Sequence, residues 1–327
     1  MVVWVVVNPI SGTLNKAEVI GRLKASLEST GHSVNIVHTK KKGDGVELAK
    51  DAIRHGSDIV VAVGGDGTVN EVGAALCDTD VALAILPCGS GNGLARHLNI
   101  PVDVDGAIKI IMDGNIRKID YCTMNGRKFF CTFGIGFDAK VSLTFSKQDH
   151  RGLAMYVKSA IREYINYAPS HYKIATGELE LEEEAFIIAG CNASQYGNNA
   201  YIAPKAHIDD GFLDLIIVHK GTPITRAFMG VELFTGTIDQ NTLIQTIRVE
   251  EVTVECLSSN RVAVHIDGEP LEISGPIKLK CHHQKLNVLA PGKDDNFKPF
   301  ITPMNNFVKD TGIAIKNLLK PGSHSEY

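Results

Sequence analysis

The sequence has no excess of positive charge and no long apolar run, and each absence argues against a class of protein. Its 327 residues carry a formal net charge of −4, whereas nucleic-acid-binding proteins show a basic footprint. No apolar run reaches the roughly 18–20 residues that a membrane-spanning helix needs. We therefore expect neither a nucleic-acid partner nor a transmembrane segment.

The seven cysteines are scattered, and no two of them form a C-x-x-C pair. Such a pattern predicts free buried thiols in a reducing compartment, and it gives no sign of a zinc module. The N-terminus reads M-V-V-W-V-V-V-N-P, without the positive leader of a signal peptide. These features predict a cytoplasmic protein.

In the first third of the chain, strand-like and helix-like segments alternate. Val2–Val7 is a continuous apolar run, typical of a strand buried on both faces of a sheet. Ile20, Leu23 and Leu27 recur at helical spacing, and Gly31 follows as a helix end. The alternation predicts an α/β domain with a parallel sheet covered by helices.

From about Asp120 the pattern changes to short strand-like runs, with a hairpin signal at Asn125-Gly126. This predicts a second, mostly antiparallel domain, either a β-sandwich or an open barrel. We place the α/β domain at 1–122 and the β-rich domain at 123–295. A helix is predicted near 152–167. A C-terminal segment, 296–327, is expected to form a helix that packs back on the first domain.

The chain is organised around a glycine-rich turn after the apolar strand Ile59–Val63. The turn reads Gly64-Gly65-Asp66-Gly67-Thr68, and a helix is predicted to begin at about Thr68. Glycines allow a ligand to approach the main chain, and a helix N-terminus can bind an anion. We expect Thr68 to cap the helix. An ordinary strand-to-helix turn with a solvated Asp66 is the alternative.

Two further polar loops follow predicted strands, at Asn8–Gly12 and Gly89–Asn92. Ligands of parallel sheets bind outside the carboxyl ends of the strands. Three such loops at one edge are harder to explain as ordinary turns than one, so we predict a ligand site there.

Carboxylates mark two turns of the second domain. Asp209-Asp210-Gly211 precedes an apolar strand and could bind a metal ion, although a plain hairpin turn explains it too. Asp267-Gly268-Glu269 follows another apolar strand, and a carboxylate there could accept a proton from an attacking hydroxyl. Taken alone, each motif is weak.

Together these motifs resemble the diacylglycerol kinase catalytic-domain family, which includes bacterial soluble lipid kinases and sphingosine kinases. The resemblance covers about residues 1–290. The motifs occur in order as N-P-I-S-G at Asn8–Gly12, G-G-D-G-T-V-N-E at Gly64–Glu71, P-C-G-S-G-N-G-L-A-R at Pro87–Arg96, F-G-I-G-F-D-A at Phe133–Ala139, A-P-K-A-H-I-D-D-G-F-L-D at Ala203–Asp214, and I-D-G-E-P at Ile266–Pro270.

The resemblance implies a kinase that uses ATP and Mg²⁺, with its site between the two domains. The residues expected to contact ATP are Asn8, Pro9, Ile10, Ser11, Gly12, Thr39, Gly64, Gly65, Asp66, Gly67, Thr68, Val69, Asn70, Glu71 and Ser90. Many family members have a threonine and an aspartate where this chain has Ser90 and Gly93. Serine keeps the hydroxyl, whereas Gly93 leaves the identity of the lipid open.

The resemblance also assigns candidate catalytic and metal-binding residues. Glu269 is the first choice for the base, Asp267 is the second, and Asp66 is expected to act through Mg²⁺ or as the base itself. A structural Mg²⁺ is expected at Asp210, beside the carbonyl groups of His207 and Phe212. Asp138 is the candidate for recognition of the polar head of the lipid.

We therefore expect a lipid kinase that phosphorylates diacylglycerol or a sphingoid base. The alternatives are an NAD kinase-like enzyme with a soluble substrate and a non-enzymatic lipid- or nucleotide-binding regulator. A lipid kinase would be peripheral at the membrane surface, with transient contact that could involve the 152–167 helix. Exposed strand edges could pair two subunits in a homodimer. Lys40–Lys42 is either a solvated loop or a binding site for phosphates or anionic lipid.

Overall fold

The computed structural model describes residues 1–12, 14–146, 167–177 and 179–292. The helix predicted near 152–167, apart from its last residue, lies outside the described residues, as does the C-terminal segment 296–327. All seven cysteines are free, as predicted. Within the described ranges, no helix combines the length and the apolar character that crossing a bilayer requires.

The first part of the chain is the predicted α/β layer. Its elements are β1 (Val2–Val7), α1 (Lys16–Ser29), β2 (Ser33–His38), α2 (Asp44–Arg54), β3 (Ile59–Gly64), α3 (Asp66–Leu76), β4 (Ala82–Pro87), α4 (Gly93–His97) and α5 (Val104–Asp113). The four strands are parallel, in the order β4-β3-β1-β2. The central strand β3 is buried along its whole length because helices cover both faces of the sheet.

The second part is the predicted antiparallel β-rich layer. Its strands are β5 (Ile116–Met124), β6 (Arg127–Phe129), β7 (Thr132–Gly136), β8 (Ser170–Ala175), β9 (Glu180–Cys191), β10 (Leu213–His219), β11 (Ile244–Val249), β12 (Glu251–Cys256), β13 (Arg261–Ile266), β14 (Glu269–Ser274) and β15 (Ile277–Leu289). Its helices are α6 (Phe137–Ser146), α7 (Pro223–Thr235) and a 3-10 turn, Ile238–Gln240. A core separate from that of the α/β layer fills it, with Phe133, Tyr172 and Leu279 among its members.

The strands of the second layer do not follow the apolar runs of the sequence one to one. The run Val249–Val254 is divided between β11, which pairs with β10, and β12, which pairs with β8 and β15. Conversely, the runs Ile277–Leu279 and Leu286–Leu289 belong to one strand, β15, whose pairing with β5 shifts register between His282 and Leu286. The polar residues of that bulge resemble a loop in the sequence, but they continue the strand.

The strand β15 joins the two layers. It pairs antiparallel with β5, and near its end Val288 pairs in parallel with Leu83 of β4. Val288 and Leu289 belong to the core of the α/β layer. The predicted domain boundary between 122 and 123 falls inside β5, which contributes Ile119 to one core and Cys122 to the other. The parallel sheet is therefore continuous with the sheet of the β-rich layer.

Asp120, on β5, is fully buried and ties this joint together. One carboxylate oxygen accepts hydrogen bonds from the N–H of Gln284 at 2.6 Å and from Nδ1 of His283 at 3.0 Å. The other accepts from the N–H of Gly211 at 2.7 Å. Asp120 thus fixes both the bulge of β15 and the turn before β10.

We expect Asp120→Ala to lower the free energy of unfolding by about 3 kcal/mol, because it leaves buried donors without an acceptor. Urea denaturation would measure the loss. Asp113→Ala is the control, since Asp113 lies exposed at the end of α5 and should change stability by about 0.5 kcal/mol or less. Equal effects of the two substitutions would contradict this role for Asp120.

Candidate active site

The three predicted loops meet at the carboxyl edge of the parallel sheet. The N–H of Asn8 donates to the carbonyl oxygen of Val63 at 3.0 Å, and the N–H of Cys88 donates to that of Gly64 at 2.7 Å. A Cβ atom on Gly12 would lie 1.7 Å from the carbonyl oxygen of Cys88, so only glycine fits there. The predicted convergence of the loops is confirmed.

The glycine turn provides close approach between backbones. A Cβ atom on Gly89 would lie 2.6 Å from the Cα of Gly65, and one on Gly64 would lie 2.4 Å from the Oγ1 of Thr68. Gly65 has a φ of −95°, which other residues adopt readily. A Cβ atom on Gly65 would lie 3.2 Å from the Cα of Gly89, so close backbone approach, and not an unusual backbone angle, favours glycine there.

The helix α3 begins at Asp66, two residues before the predicted start. Gly65 precedes it as the N-cap and has no side chain to bind the first N–H groups of the helix, which lack partners within it. Thr68 does not cap the helix, contrary to the prediction. Its Oγ1 accepts a hydrogen bond from Nδ2 of Asn8 at 3.1 Å, which ties the first loop to α3. An anion could therefore bind at the start of the helix.

Asp66 connects the glycine turn to the third loop. Its two carboxylate oxygens accept hydrogen bonds from the N–H groups of Asn92 at 2.9 Å and Gly93 at 2.6 Å. Burial raises the pKa of Asp66, and these N–H groups oppose the rise. The N–H of Asp66 itself is a third donor, so the carboxylate keeps one unused lone pair. A Cβ on Gly93 would lie 3.6 Å from Oδ1 of Asp66, so an aspartate at this position would bring a second carboxylate close to the first.

Asp267 is a fully satisfied carboxylate. One oxygen accepts from Nδ2 of Asn70 at 2.8 Å and the N–H of Phe130 at 2.9 Å, and the other from the N–H groups of Cys131 at 2.8 Å and Thr132 at 2.9 Å. Burial raises its pKa, while the four donors oppose the rise. Four donors use all of the lone pairs, so the geometry disfavours the predicted role as a base and makes Asp267 a positioning residue.

Glu269 lies at the glycine turn with its carboxylate partly exposed. Its Oε2 accepts from Nζ of Lys42 at 2.7 Å, and the side chains are 47% and 75% exposed, respectively. Its Oε1 is 3.4 Å from the position of a Cβ on Gly67. The β-rich layer thus presents a carboxylate to the start of α3.

Glu71 does not point toward the loops that were expected to bind ATP. Its carboxylate accepts from the N–H groups of Gly43 at 2.7 Å and Gly45 at 2.9 Å, at the start of α2. It therefore fixes the turn that carries Lys42, and the predicted nucleotide contact is not supported. Val69, predicted likewise, is buried in the core of the α/β layer. The side chain of Asn70 donates a hydrogen bond to Asp267.

The remaining predicted nucleotide contacts lie near the loops. The N–H of Thr39 donates to the carbonyl oxygen of Val7 at 2.9 Å, so Thr39 sits beside the first loop. The hydroxyl of Ser11 donates to the carbonyl oxygen of Asn8 at 3.0 Å. Pro9, Ile10 and Ser90 are exposed and accessible to a ligand.

The predicted lipid-recognition residue lies in a buried polar group. Asp138, at the start of α6, accepts from the hydroxyl of Tyr196 at 2.9 Å and contacts Nε2 of His265 at 3.1 Å. A Cβ on Gly134 would lie 2.1 Å from the same carboxylate. His265 and Tyr196 were missed from the sequence. No local pattern links them to Asp138, which lies 127 residues from His265 and 58 residues from Tyr196.

At the turn His207–Phe212, where a structural Mg²⁺ is expected, contacts within the chain hold the carboxylate of Asp210. His207 is exposed, and Oδ1 of Asp210 accepts from the N–H of Phe212 at 3.0 Å. Oδ2 of Asp210 contacts the guanidinium group of Arg248 on β11, which the sequence analysis missed. The turn therefore places the carboxylate of Asp210 against the guanidinium group of Arg248.

His97 ends α4 behind the third loop. Its Nδ1 accepts from the N–H of Ser194 at 3.1 Å, so the neutral ring carries its proton on Nε2. Desolvation, helped by the nearby Arg117 and His207, lowers the pKa of His97 to about 4. Protonation of this ring would break the link between α4 and the β-rich layer.

Comparisons with known proteins agree with this architecture. The profile described as "Diacylglycerol kinase catalytic domain" matches residues 2–124. The profile described as "YegS C-terminal NAD kinase beta sandwich-like domain" matches residues 132–290. Together they account for nearly all of the described residues.

Curated relatives and solved structures show the same likeness. A "Probable lipid kinase YegS-like" protein of Chromohalobacter salexigens is 29% identical over 297 residues, covering 88% of this chain and 90% of its own. The "Probable lipid kinase YegS" of Escherichia coli O127:H6 is 29% identical over 278 residues, covering 78% and 88%. A diacylglycerol kinase structure from Bacillus anthracis, 22% identical, has a TM-score of 0.68 over 88% of this chain and 96% of that one. At that identity it supports the fold alone.

The lowered pKa of His97 predicts a pH dependence of stability. The unfolded chain binds a proton near pH 6.5 and the folded chain only near pH 4. The contribution of His97 to the free energy of unfolding should therefore be present in full above pH 6.5. It should be lost as the pH drops toward 4, which lowers the free energy of unfolding by about 3 kcal/mol at most. Urea denaturation across this range, with His97→Asn alongside, would measure it. Equal slopes for both proteins would contradict the assignment.

Proposed function

The chain belongs to the diacylglycerol kinase catalytic-domain family, and from this premise we propose that it transfers the γ-phosphoryl group of ATP to a hydroxyl group of a membrane lipid. The observation that carries the proposal is the position of Glu269. This carboxylate comes from the β-rich layer, and it lies at the glycine turn of the α/β layer, beside Gly67 and Lys42. Diacylglycerol and sphingoid bases are the leading acceptors.

ATP would bind across the three loops. Its phosphates would meet the glycine turn and the start of α3, where N–H groups and the helix dipole favour negative charge. Lys42 supplies positive charge at the same place, on a turn that Glu71 fixes. Asn8–Gly12, Thr39 and Ser90 would line the rest of the site.

The residues present fit a Mg²⁺ ion carried by ATP. Three backbone N–H groups hydrogen-bond to the carboxylate of Asp66, which can accept four, so one lone pair remains for the ion. Asp66 would hold the ion, which leaves Glu269 available to accept a proton. When bound, Mg²⁺ neutralises the charge that builds up on the phosphate oxygens during transfer.

Glu269 is the group that would take the proton of the acceptor hydroxyl. The lipid oxygen would form a bond to the γ-phosphorus while the bond to the β–γ bridging oxygen breaks, so that ADP leaves and a lipid phosphate forms. Asp267 accepts hydrogen bonds from four donors, and Asp66 accepts hydrogen bonds from the backbone of the third loop. We therefore favour Glu269 over both as the base.

The lipid acceptor also implies where the protein acts. We propose a cytoplasmic protein that contacts the membrane surface transiently, because its acceptor lies in the bilayer. Asp138 would contact the polar head of the lipid, with Tyr196 and His265 holding its carboxylate in place. The strand β14 lies at one end of the sheet order, and its free edge is where a second subunit could pair.

Glu269→Gln should lower kcat by at least about 100-fold, because it removes the proton acceptor and keeps the shape. Phosphate transfer from ATP would be assayed with diacylglycerol, sphingosine, ceramide and monoacylglycerol in mixed micelles, and with NAD as the soluble acceptor. Glu272→Gln is the matched control: it lies on the same strand and its side chain is 46% exposed.

The acceptor panel also separates the alternative functions. Labelled NAD would favour a soluble-substrate kinase. ATP binding without any product would favour a regulator. A labelled lipid with equal kcat for wild type and Glu269→Gln would keep the lipid kinase and reject Glu269 as its base.

Lys42→Met should weaken ATP binding by about tenfold, as expected for one charge-assisted contact to a phosphate. Glu269→Gln should strengthen binding, because it frees Lys42 and removes a negative charge near the phosphates. Isothermal titration without lipid would measure both, and Lys41→Met, one residue away on the same turn, is the control. Equal affinity in wild type and Lys42→Met would show that Lys42 does not contact the phosphates.

A further inference from the structure

We infer that Arg248 takes the place of the structural magnesium ion expected at the turn His207–Phe212, so that this turn folds without a metal. The predicted ligand, Asp210, has one oxygen on the N–H of Phe212 and the other on the guanidinium group of Arg248. The residues present therefore satisfy Asp210 with a cation of the chain itself. This inference does not depend on the proposed kinase activity.

Arg248 has three partners at this turn. In addition to Asp210, its Nε lies 3.6 Å from Oδ1 of Asp214. Its guanidinium carbon lies 4.8 Å from the centre of the Phe212 ring. An arginine held between two carboxylates and stacked on an aromatic ring is fixed in both position and orientation.

Strand pairing positions Arg248 beside the turn His207–Phe212. Arg248 on β11 pairs directly with Asp214 on β10 in the antiparallel ladder. Directly paired residues have their Cβ atoms about 4.5–5.5 Å apart on one face of the sheet. Strand register therefore sets the contact with Asp214 and places Arg248 next to the turn.

The carboxylates of Asp210 and Asp214 favour a permanent positive charge at this turn. Burial raises the pKa of Asp214, and the positive charge of Arg248 opposes the rise. A guanidinium group keeps its charge at every pH the protein meets. A divalent ion bound to Asp210 would lie next to this charge and be repelled by it.

The turn supports the joint between the two layers. The N–H of Gly211 donates to Asp120 at 2.7 Å, and Arg117 lies 3.6 Å from Asp209. Since Arg248 secures the turn, chelation of divalent ions should leave the fold intact. Any magnesium requirement of catalysis would then follow the ion carried by ATP alone.

The test is the melting temperature of the nucleotide-free protein in EDTA and in millimolar MgCl₂, with KCl matching the ionic strength. Wild type should melt at the same temperature in both. Arg248→Met should melt several degrees lower in EDTA. Arg261→Met is the matched control, because Arg261 forms a similar pair with Glu272 but has a more exposed side chain at 72%; it should change the melting temperature little.

Two results would overturn the inference. One is a rise in the wild-type melting temperature with MgCl₂ that Asp210→Asn abolishes, because such a rise would show a metal bound at this turn. The wild-type measurement does not depend on any variant folding correctly. The other is an Arg248→Met protein as stable as Arg261→Met. Recovery of the Arg248→Met melting temperature in MgCl₂, lost again in Arg248→Met/Asp210→Asn, would support the inference further.

Discussion

Burying a carboxylate is costly unless hydrogen bonds satisfy its oxygens, and the candidate site is built around this constraint. Asp267 accepts four hydrogen bonds, three from backbone N–H groups and one from Asn70 on α3. These bonds fix the turn between β13 and β14 against the α/β layer. Glu269 begins β14, so the position of the candidate base depends on how completely Asp267 is satisfied.

The carboxylates of Asp66 and Glu71 are likewise satisfied by backbone N–H groups, at neighbouring places. Asp66 binds the N–H groups at the start of α4, and Glu71 binds those at the start of α2. Each carboxylate caps a helix that follows a loop of the site. Three acidic residues thus shape the cradle, and the partly exposed Glu269 is left to take part in chemistry. The ion pair with Lys42 is its one contact with a charge in the described chain.

The turn at Asp210 shows the same preference for partners within the chain. There a side-chain cation, Arg248, satisfies the carboxylate, and strand register sets its position. Through Gly211 and Asp120 the turn reaches the bulge of β15, which carries the sheet from one layer into the other. A turn without a metal is therefore compatible with this fold, because a cation still faces Asp210 and the link to β15 is kept.

The sequence by itself determined the layer order, the glycine turn after β3 and the family, because strand and helix periodicity and motif spacing are local properties. It also singled out Asp66, Asp267 and Glu269 as a set. Only the tertiary structure decided among them. The donors that occupy Asp66 and Asp267 lie 27 and 137 residues away, on Gly93 and Phe130. Likewise, Arg248 lies 38 residues from Asp210. Which carboxylate is free depends on long-range backbone contacts, and no local pattern records them.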